Sequence, residues 1–134
     1  MELIRANQSV YENLNAFLLK NETIDARSLA NSGYVIQVDS EIIGCFVLEL
    51  TETNDSWLKQ LYITQDHAAK LPILLEAISN LARQQNSKHI HIHSHQPVVD
   101  LLLEALQFYP QQDTNLQLEL EEQYTKGNWW TAEV

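Results

Sequence analysis

The chain has 134 residues, 45% of them hydrophobic, with eight Lys and Arg set against eighteen Asp and Glu for a formal charge of -10. That length suits one compact domain built on a single core. A phosphate-backbone binder needs a basic stripe, and here the cations are few and scattered, so no nucleic acid and no anionic membrane surface is an expected partner. The one cysteine, Cys45, lies inside the apolar run "IIGCFVLEL". It cannot form an intrachain disulfide and reads as a small buried hydrophobe in a reducing, cytoplasmic setting. The start "MELIRANQSV" has neither a basic n-region nor an apolar h-region, and no apolar run reaches the roughly 18 residues of a membrane span.

No repeat, low-complexity tract or Pro/Gly/Ser-rich linker breaks the chain. A short strand in "ELIRA" leads to Ser9, which with Glu12 spells a capping box, and Val10, Leu14, Phe17 and Leu18 then follow at helical spacing to about Lys20. A second, shorter helix is expected within 21–31. In "GYVIQVDSEIIGCFVLELTETNDSWLKQLYIT" the β-branched and aromatic runs alternate with polar breaks, which predicts three antiparallel strands, about 34–38, 42–50 and 57–63. Beyond Asp66, Leu74, Leu75, Ile78, Leu81 and Ala82 mark one face of a long helix ending at "QNS". The strand "KHIHIHS" follows. Pro97 then opens a helix in the position where its missing N–H costs nothing. From Val98 to Leu106 that helix is apolar nearly all round, so it is expected to be well buried. A turn at "FYPQQDTN" leads to "LQLELEE", where Leu116, Leu118 and Leu120 alternate with polar residues in a half-buried strand.

Four of the five histidines stand at alternate positions, His89, His91, His93 and His95, and so share one strand face, neighbours being about 6.6 Å apart. Such a pair can converge on Zn, Ni or Cu, but a closed site needs further ligands, and neither a paired Cys nor an HExxH motif supplies them. No metal ligand is assigned. The other reading places Ile90 and Ile92 under a helix and the imidazoles on the opposite face.

The long helix crossing between "WLKQLYIT" and "KHIHIHS" requires those two strands to run parallel in a mixed sheet. The whole order resembles the GNAT superfamily of N-acetyltransferases. "LYIT" is similar to the end of the family's fourth strand, "LLEAI" to its next helix, and "HIHIHSHQPVVDLLLEALQF" to its fifth strand and fourth helix. The resemblance implies a single-domain α/β (α+β) fold: a mixed, mostly antiparallel sheet with helices on both faces and a splayed central pair of parallel strands. It also implies acetyl-CoA as cosubstrate. Backbone groups of Leu61, Tyr62 and Ile63 would hold the pantetheine arm, with Ala68, Ala69 and Lys70 in the pyrophosphate loop and Gln96 at the start of the following helix.

Two positions depart from the family pattern. The family loop reads Arg or Gln, two residues, Gly, one residue, then Gly or Ala, because glycines let the backbone approach the phosphates at a helix N-terminus. "QDHAAKLPILL" has no glycine, is about two residues shorter and carries Pro72, which predicts weakened CoA affinity; Lys70 would compensate only as a point charge. The second departure is at Leu103, which occupies the place of the tyrosine that protonates the leaving thiolate in many members. Gln107 stands for the Gly of the terminal Gly-Phe pair, and Tyr109 is the nearby substitute acid.

Acetyl transfer needs a base for the incoming ammonium, a polarised carbonyl and a proton for sulfur. Glu49, His91 and His93 are the candidate bases, Glu49 having the alternative of capping a solvated strand end. The expected activity is transfer of an acetyl group to a small-molecule or peptide primary amine. A catalytically inactive binding or regulatory module of the same fold is the alternative, and a metal-binding protein stands behind both. Trp129 and Trp130 either pack back on the core or form a homodimer contact. The acidic strand "LQLELEEQ" would attract a basic substrate or be simply solvated.

Overall fold

The computed structural model describes residues 1–9, 11–94, 97–110 and 128–134. The chain divides into two compact units, Met1–Glu49 with Leu58–Leu71, and Leu50–Trp57 with Pro72–Val134. Its elements make a mixed α/β fold, and the four strand pairs whose register is described are antiparallel.

The first unit holds β1 (Glu2–Arg5), α1 (Tyr11–Lys20), α2 (Ala26–Ser32), β2 (Gly33–Val38), most of β3 (Glu41–Leu50) and most of β4 (Ser56–Ile63), followed by a 3-10 turn over Gln65–Lys70. Its strands hydrogen bond in the order β1-β2-β3-β4. Ser9, expected to cap α1, closes the turn before it by donating its hydroxyl to the Ala6 carbonyl at 2.7 Å. Asp25 caps α2: its carboxylate accepts from the Ser28 and Arg27 N–H groups. The Ser28 backbone bond is the main reason that this carboxyl sits below the usual aspartate range. Asp39 and Ser40 both take positive φ, 49° and 67°, and close the β2–β3 hairpin as a two-residue turn between paired Val38 and Glu41.

The run "IIGCFV" has no alternation because both faces of β3 are covered. On one side Val35, Cys45 and Val47 join Ala6, Phe17 and Leu29 in a buried cluster. In the same unit, Tyr34 and Phe46 stack at 5.1 Å, with the Arg5 guanidinium 5.3 Å from the Tyr34 ring. Burial pushes the Cys45 thiol up to about 12. Native protein is therefore expected to resist a disulfide reagent at pH 8 and to react fully only in denaturant, as a thiol assay would read. The same shift makes the folded state lose stability as pH rises from the unfolded thiol's range towards 12, because only the unfolded chain releases the proton there.

The second unit contains α3 from Pro72 onward (the helix is Leu71–Gln84), β5 (His89–Ser94), α4 (Pro97–Ala105), β6 (Tyr109–Pro110) and β7 (Asn128–Glu133), with strand order β5-β7-β6. Leu74, Leu75, Ile78 and Ala82 form the buried face of α3, as their spacing predicts. Both helices end in the same way. Asn86 and Gln107 adopt φ of 65° and 69°, while the next residue's N–H reaches back five positions, Ser87 to Ala82 and Phe108 to Leu103. Gln107 thus occupies a left-handed position that favours glycine. Gln107→Gly is expected to stabilise the protein by about 0.5–1 kcal/mol in urea unfolding, since the side chain pays a steric cost there.

One expectation needs correction. Helix α4 is not buried all round: Leu103 is fully buried, but Leu101 is 68% exposed. At about 100° per residue the two side chains lie on opposite sides of the axis, and a nine-residue helix presents only one stripe inward. The C-terminal "NWWTAE" is a strand in its own right, lying between β5 and β6. The strand expected in "LQLELEE" falls outside the described residues, as do Val10, His95 and Gln96. Among the described residues no helix is long and apolar enough to cross a membrane.

Candidate functional site

In the first unit the segment of interest is the end of β4 and the turn after it. Gln60 adopts φ 49° in mid-strand, a left-handed conformation that interrupts regular pleating just before Leu61, Tyr62 and Ile63. Its side chain is tied down, accepting from the Asp25 N–H at 2.7 Å. Nothing in "WLKQLYIT" signals this irregularity, since glutamine has no preference for positive φ. Gly44 of β3 lies so close that a Cβ there would sit 2.3 Å from the Tyr62 carbonyl oxygen. Thr64 anchors the strand end by donating its N–H to the Ile43 carbonyl at 2.8 Å, and its hydroxyl bonds His67 Nδ1 at 3.0 Å.

The turn Gln65–Lys70 is a short 3-10 helix without glycine, on which Ala68 and Ala69 are exposed and Lys70 is half-buried. Leu61, Tyr62 and Ile63 are half-buried, and Tyr62 packs edge-on to Phe17 at 5.9 Å. Glu49 is committed to an ion pair with Lys59 at 2.9 Å, both half-buried. Such a pair competes with any role of that carboxylate as a base.

The second unit gathers the histidine strand around Asp55. The turn before β4 aims this residue: the Thr51 N–H donates to the Asp55 carbonyl at 2.8 Å, and the Asp55 N–H to Thr51 Oγ1 at 3.1 Å. One carboxylate oxygen accepts from the His89 N–H at 3.1 Å and lies 3.3 Å from His89 Nδ1, while the other lies 3.4 Å from His91 Nε2. His91 Nδ1 bonds Thr131 Oγ1 at 2.8 Å. The two imidazoles stack with planes 15° apart. His91 is only 2% exposed and Thr131 only 1%, so this chain of contacts is enclosed.

Register explains the grouping. His91 pairs with Thr131 across β5–β7, and Thr131 with Tyr109 across β6–β7, so one row crosses three strands. Directly opposed residues in antiparallel strands point to the same face. Tyr109 ends that row at the surface, 43% exposed; partial burial, then the charges of Glu133 and Asp55, hold its phenol above the ordinary tyrosine range. His93, half-buried, meets the edge of Trp129 at 5.0 Å. Residues outside the sequence-based selection therefore shape this site. Asp55 and Thr131 carry no signal in the sequence, because "TETND" reads only as a turn and Thr131 only as a terminal residue.

Of the two alternatives for the tryptophans, packing back is realised. Trp129 and Trp130 are 3% and 7% exposed. Trp129 also packs against Trp57 at 5.7 Å, and Trp130 Nε1 donates to Asp100 at 2.7 Å. Trp130→Phe, which keeps the ring but loses that charge-assisted bond, is expected to cost about 1.5–3 kcal/mol in equilibrium unfolding. Among the described residues no group of three His, Cys, Asp or Glu side chains is placed to hold a metal ion.

No protein-family model matches the sequence, and no curated protein does. Solved structures do match in fold. A GNAT-family acetyltransferase from Staphylococcus aureus Mu50 aligns with 19% identity and a TM-score of 0.72, covering 98% of each chain. Rv2747 from Mycobacterium tuberculosis, solved in complex with CoA, aligns at 8% identity and TM-score 0.72 over 100% of this chain and 99% of that one. The N-acetylglutamate synthase of Neisseria gonorrhoeae, complexed with coenzyme A and N-acetyl-glutamate, aligns at 11% identity and TM-score 0.71 over 98% of this chain. The chain spans 34% of that last protein. The fold is that of the GNAT acetyltransferases.

Proposed function

We propose that this protein is a GNAT-type N-acetyltransferase that moves the acetyl group of acetyl-CoA directly to a primary amine. The observation that carries the reading is the whole-chain likeness to acetyltransferases of that fold, two of them holding coenzyme A. In the reaction the neutral amine nitrogen attacks the thioester carbonyl, the C–S bond breaks, and the departing thiolate takes up a proton. Leu61, Tyr62 and Ile63 supply backbone groups for the pantetheine arm. Ala68, Ala69 and Lys70 line the phosphate end, with Lys70 as its cation; Gln96, the remaining residue that the family resemblance implies, lies outside the described residues. Tyr109, 43% exposed, is the most open of the candidates for proton transfer, whereas Glu49 is engaged by Lys59, His91 by Asp55 and Thr131, and His93 is half-buried against Trp129.

A second reading is favoured by one specific observation. Leu103, where many GNAT members have the acid tyrosine, is an apolar side chain with no exposure. Together with the glycine-free turn this supports an inactive relative that serves as a binding or regulatory module. Calorimetric titration with acetyl-CoA and with CoA separates the two. Micromolar binding, followed by thiol release when amines are added, is expected of the enzyme. No heat up to millimolar ligand would return the protein to the second reading.

A further inference from the structure

In the first unit a cavity of about 490 Å³ opens between α1, the β2–β3 turn and the end of β4. Its size lies within the range of small-ligand sites. The floor is apolar and aromatic, made by Phe17 and the half-buried Tyr62, whose rings meet edge to face. Its lining includes one residue of each charge, Lys20 at the end of α1 and Glu41 at the start of β3. Lys20 and Glu41 form no ion pair with each other or with any other described residue, so both are available to a ligand. Asn13 and Ser40 complete the rim with an exposed amide and a hydroxyl, and Ser40 is held at φ 67° by the tight turn.

We infer that this cavity binds a zwitterionic small molecule of the α-amino-acid type, its carboxylate on Lys20, its ammonium near Glu41 and its apolar side chain on Phe17 and Tyr62. The charge balance selects the class. A chain of net charge -10 repels anions at long range, so a dianion with only one lysine to meet it would be poorly held. A simple cation would leave Lys20 facing like charge. A ligand carrying one charge of each sign satisfies both groups, and the aromatic floor removes its apolar part from water. The inference stands on this cavity alone and requires no CoA.

The test uses the intact protein and three probes that differ in charge: L-phenylalanine, its amino alcohol, which lacks the carboxylate, and 3-phenylpropanoate, which lacks the ammonium. Binding is followed by NMR at the Phe17 and Tyr62 resonances. L-phenylalanine is expected to give saturable shifts, with Lys20→Met and Glu41→Gln each weakening it about tenfold. The amino alcohol is expected to lose nothing to Lys20→Met, and 3-phenylpropanoate nothing to Glu41→Gln. Both substitutions are at exposed positions and leave the core untouched. Absence of saturable shifts up to about 10 mM, or binding of L-phenylalanine that either variant leaves unchanged, overturns the inference. Neither result bears on the CoA titration, so the two readings fail separately.

Discussion

Replacing Gly44 by Ala is expected to lower stability by about 3 kcal/mol and to displace the end of β4. The added Cβ would stand 2.3 Å from the Tyr62 carbonyl oxygen and 3.1 Å from the Ile63 Cα, both backbone atoms, with the Ile36 Cδ1 at 3.0 Å. A flexible side chain such as Ile36 can turn away, but backbone atoms move only with their strand. β4 is also held near this point by the Thr64 N–H bond to Ile43, so relief at Tyr62 strains a neighbouring bond. Urea unfolding reads the loss, and amide shifts of residues 61–63 read the displacement. Stability within 1 kcal/mol of the parent and unmoved amides would mean that the two backbones do not in fact constrain each other. Under the proposed function the same variant loses acetyl-CoA binding, because the displaced residues carry the pantetheine contacts.

Asp55→Ala is expected to cost about 3 kcal/mol, with thermal unfolding several degrees lower. The side chain is one shared acceptor for the His89 N–H and for two imidazoles, and its removal takes a hydrogen-bonding group from His91 where water cannot easily replace it. The physical point is an asymmetry. Deleting one partner of a buried polar set costs more than deleting the whole set, because the groups left behind were desolvated on the expectation of that partner. A triple variant, Asp55→Ala, His91→Phe and Thr131→Val, should therefore recover part of the loss relative to Asp55→Ala alone. If the single variant unfolds like the parent, the carboxylate is a solvated bystander and the enclosed row does not hold β5 and β7 together.

The enclosure of His91 also bears on how alternating histidines are read. Spacing alone puts His89, His91 and His93 on one face, and they do share it: His89 and His91 stack on one carboxylate. Whether that face is wet depends on what lies over it. β7 brings Thr131 and Trp129 against His91 and His93, and the turn of Thr51 to Asp55 delivers the acid. Those partners are 40 and 36 residues away from His91 in sequence. No local pattern could announce them. Gln60 teaches the same lesson: a glutamine at positive φ is unfavourable by itself and is tolerated where its side chain accepts from the Asp25 N–H of another element.

What the amino-acid sequence by itself determined is the list of elements and their periodic faces. Leu74, Leu75 and Ile78 had to share a helix side, the β-branched and aromatic run within 42–50 had to be a strand, and Pro97 had to open a helix, because the helical period, strand propensity and a missing N–H are properties of the chain next to itself. The resemblance of the element order to the GNAT fold followed from the same local signals. The tertiary structure decided the rest: that Leu101 faces water while Leu103 does not, that the terminal "NWWTAE" pairs with the histidine strand, and that His91 is locked while Tyr109 stays exposed. Each of these depends on strand register and long-range burial. Both are set by which distant surfaces meet, and a one-residue shift in pairing would have exchanged the buried and exposed rows.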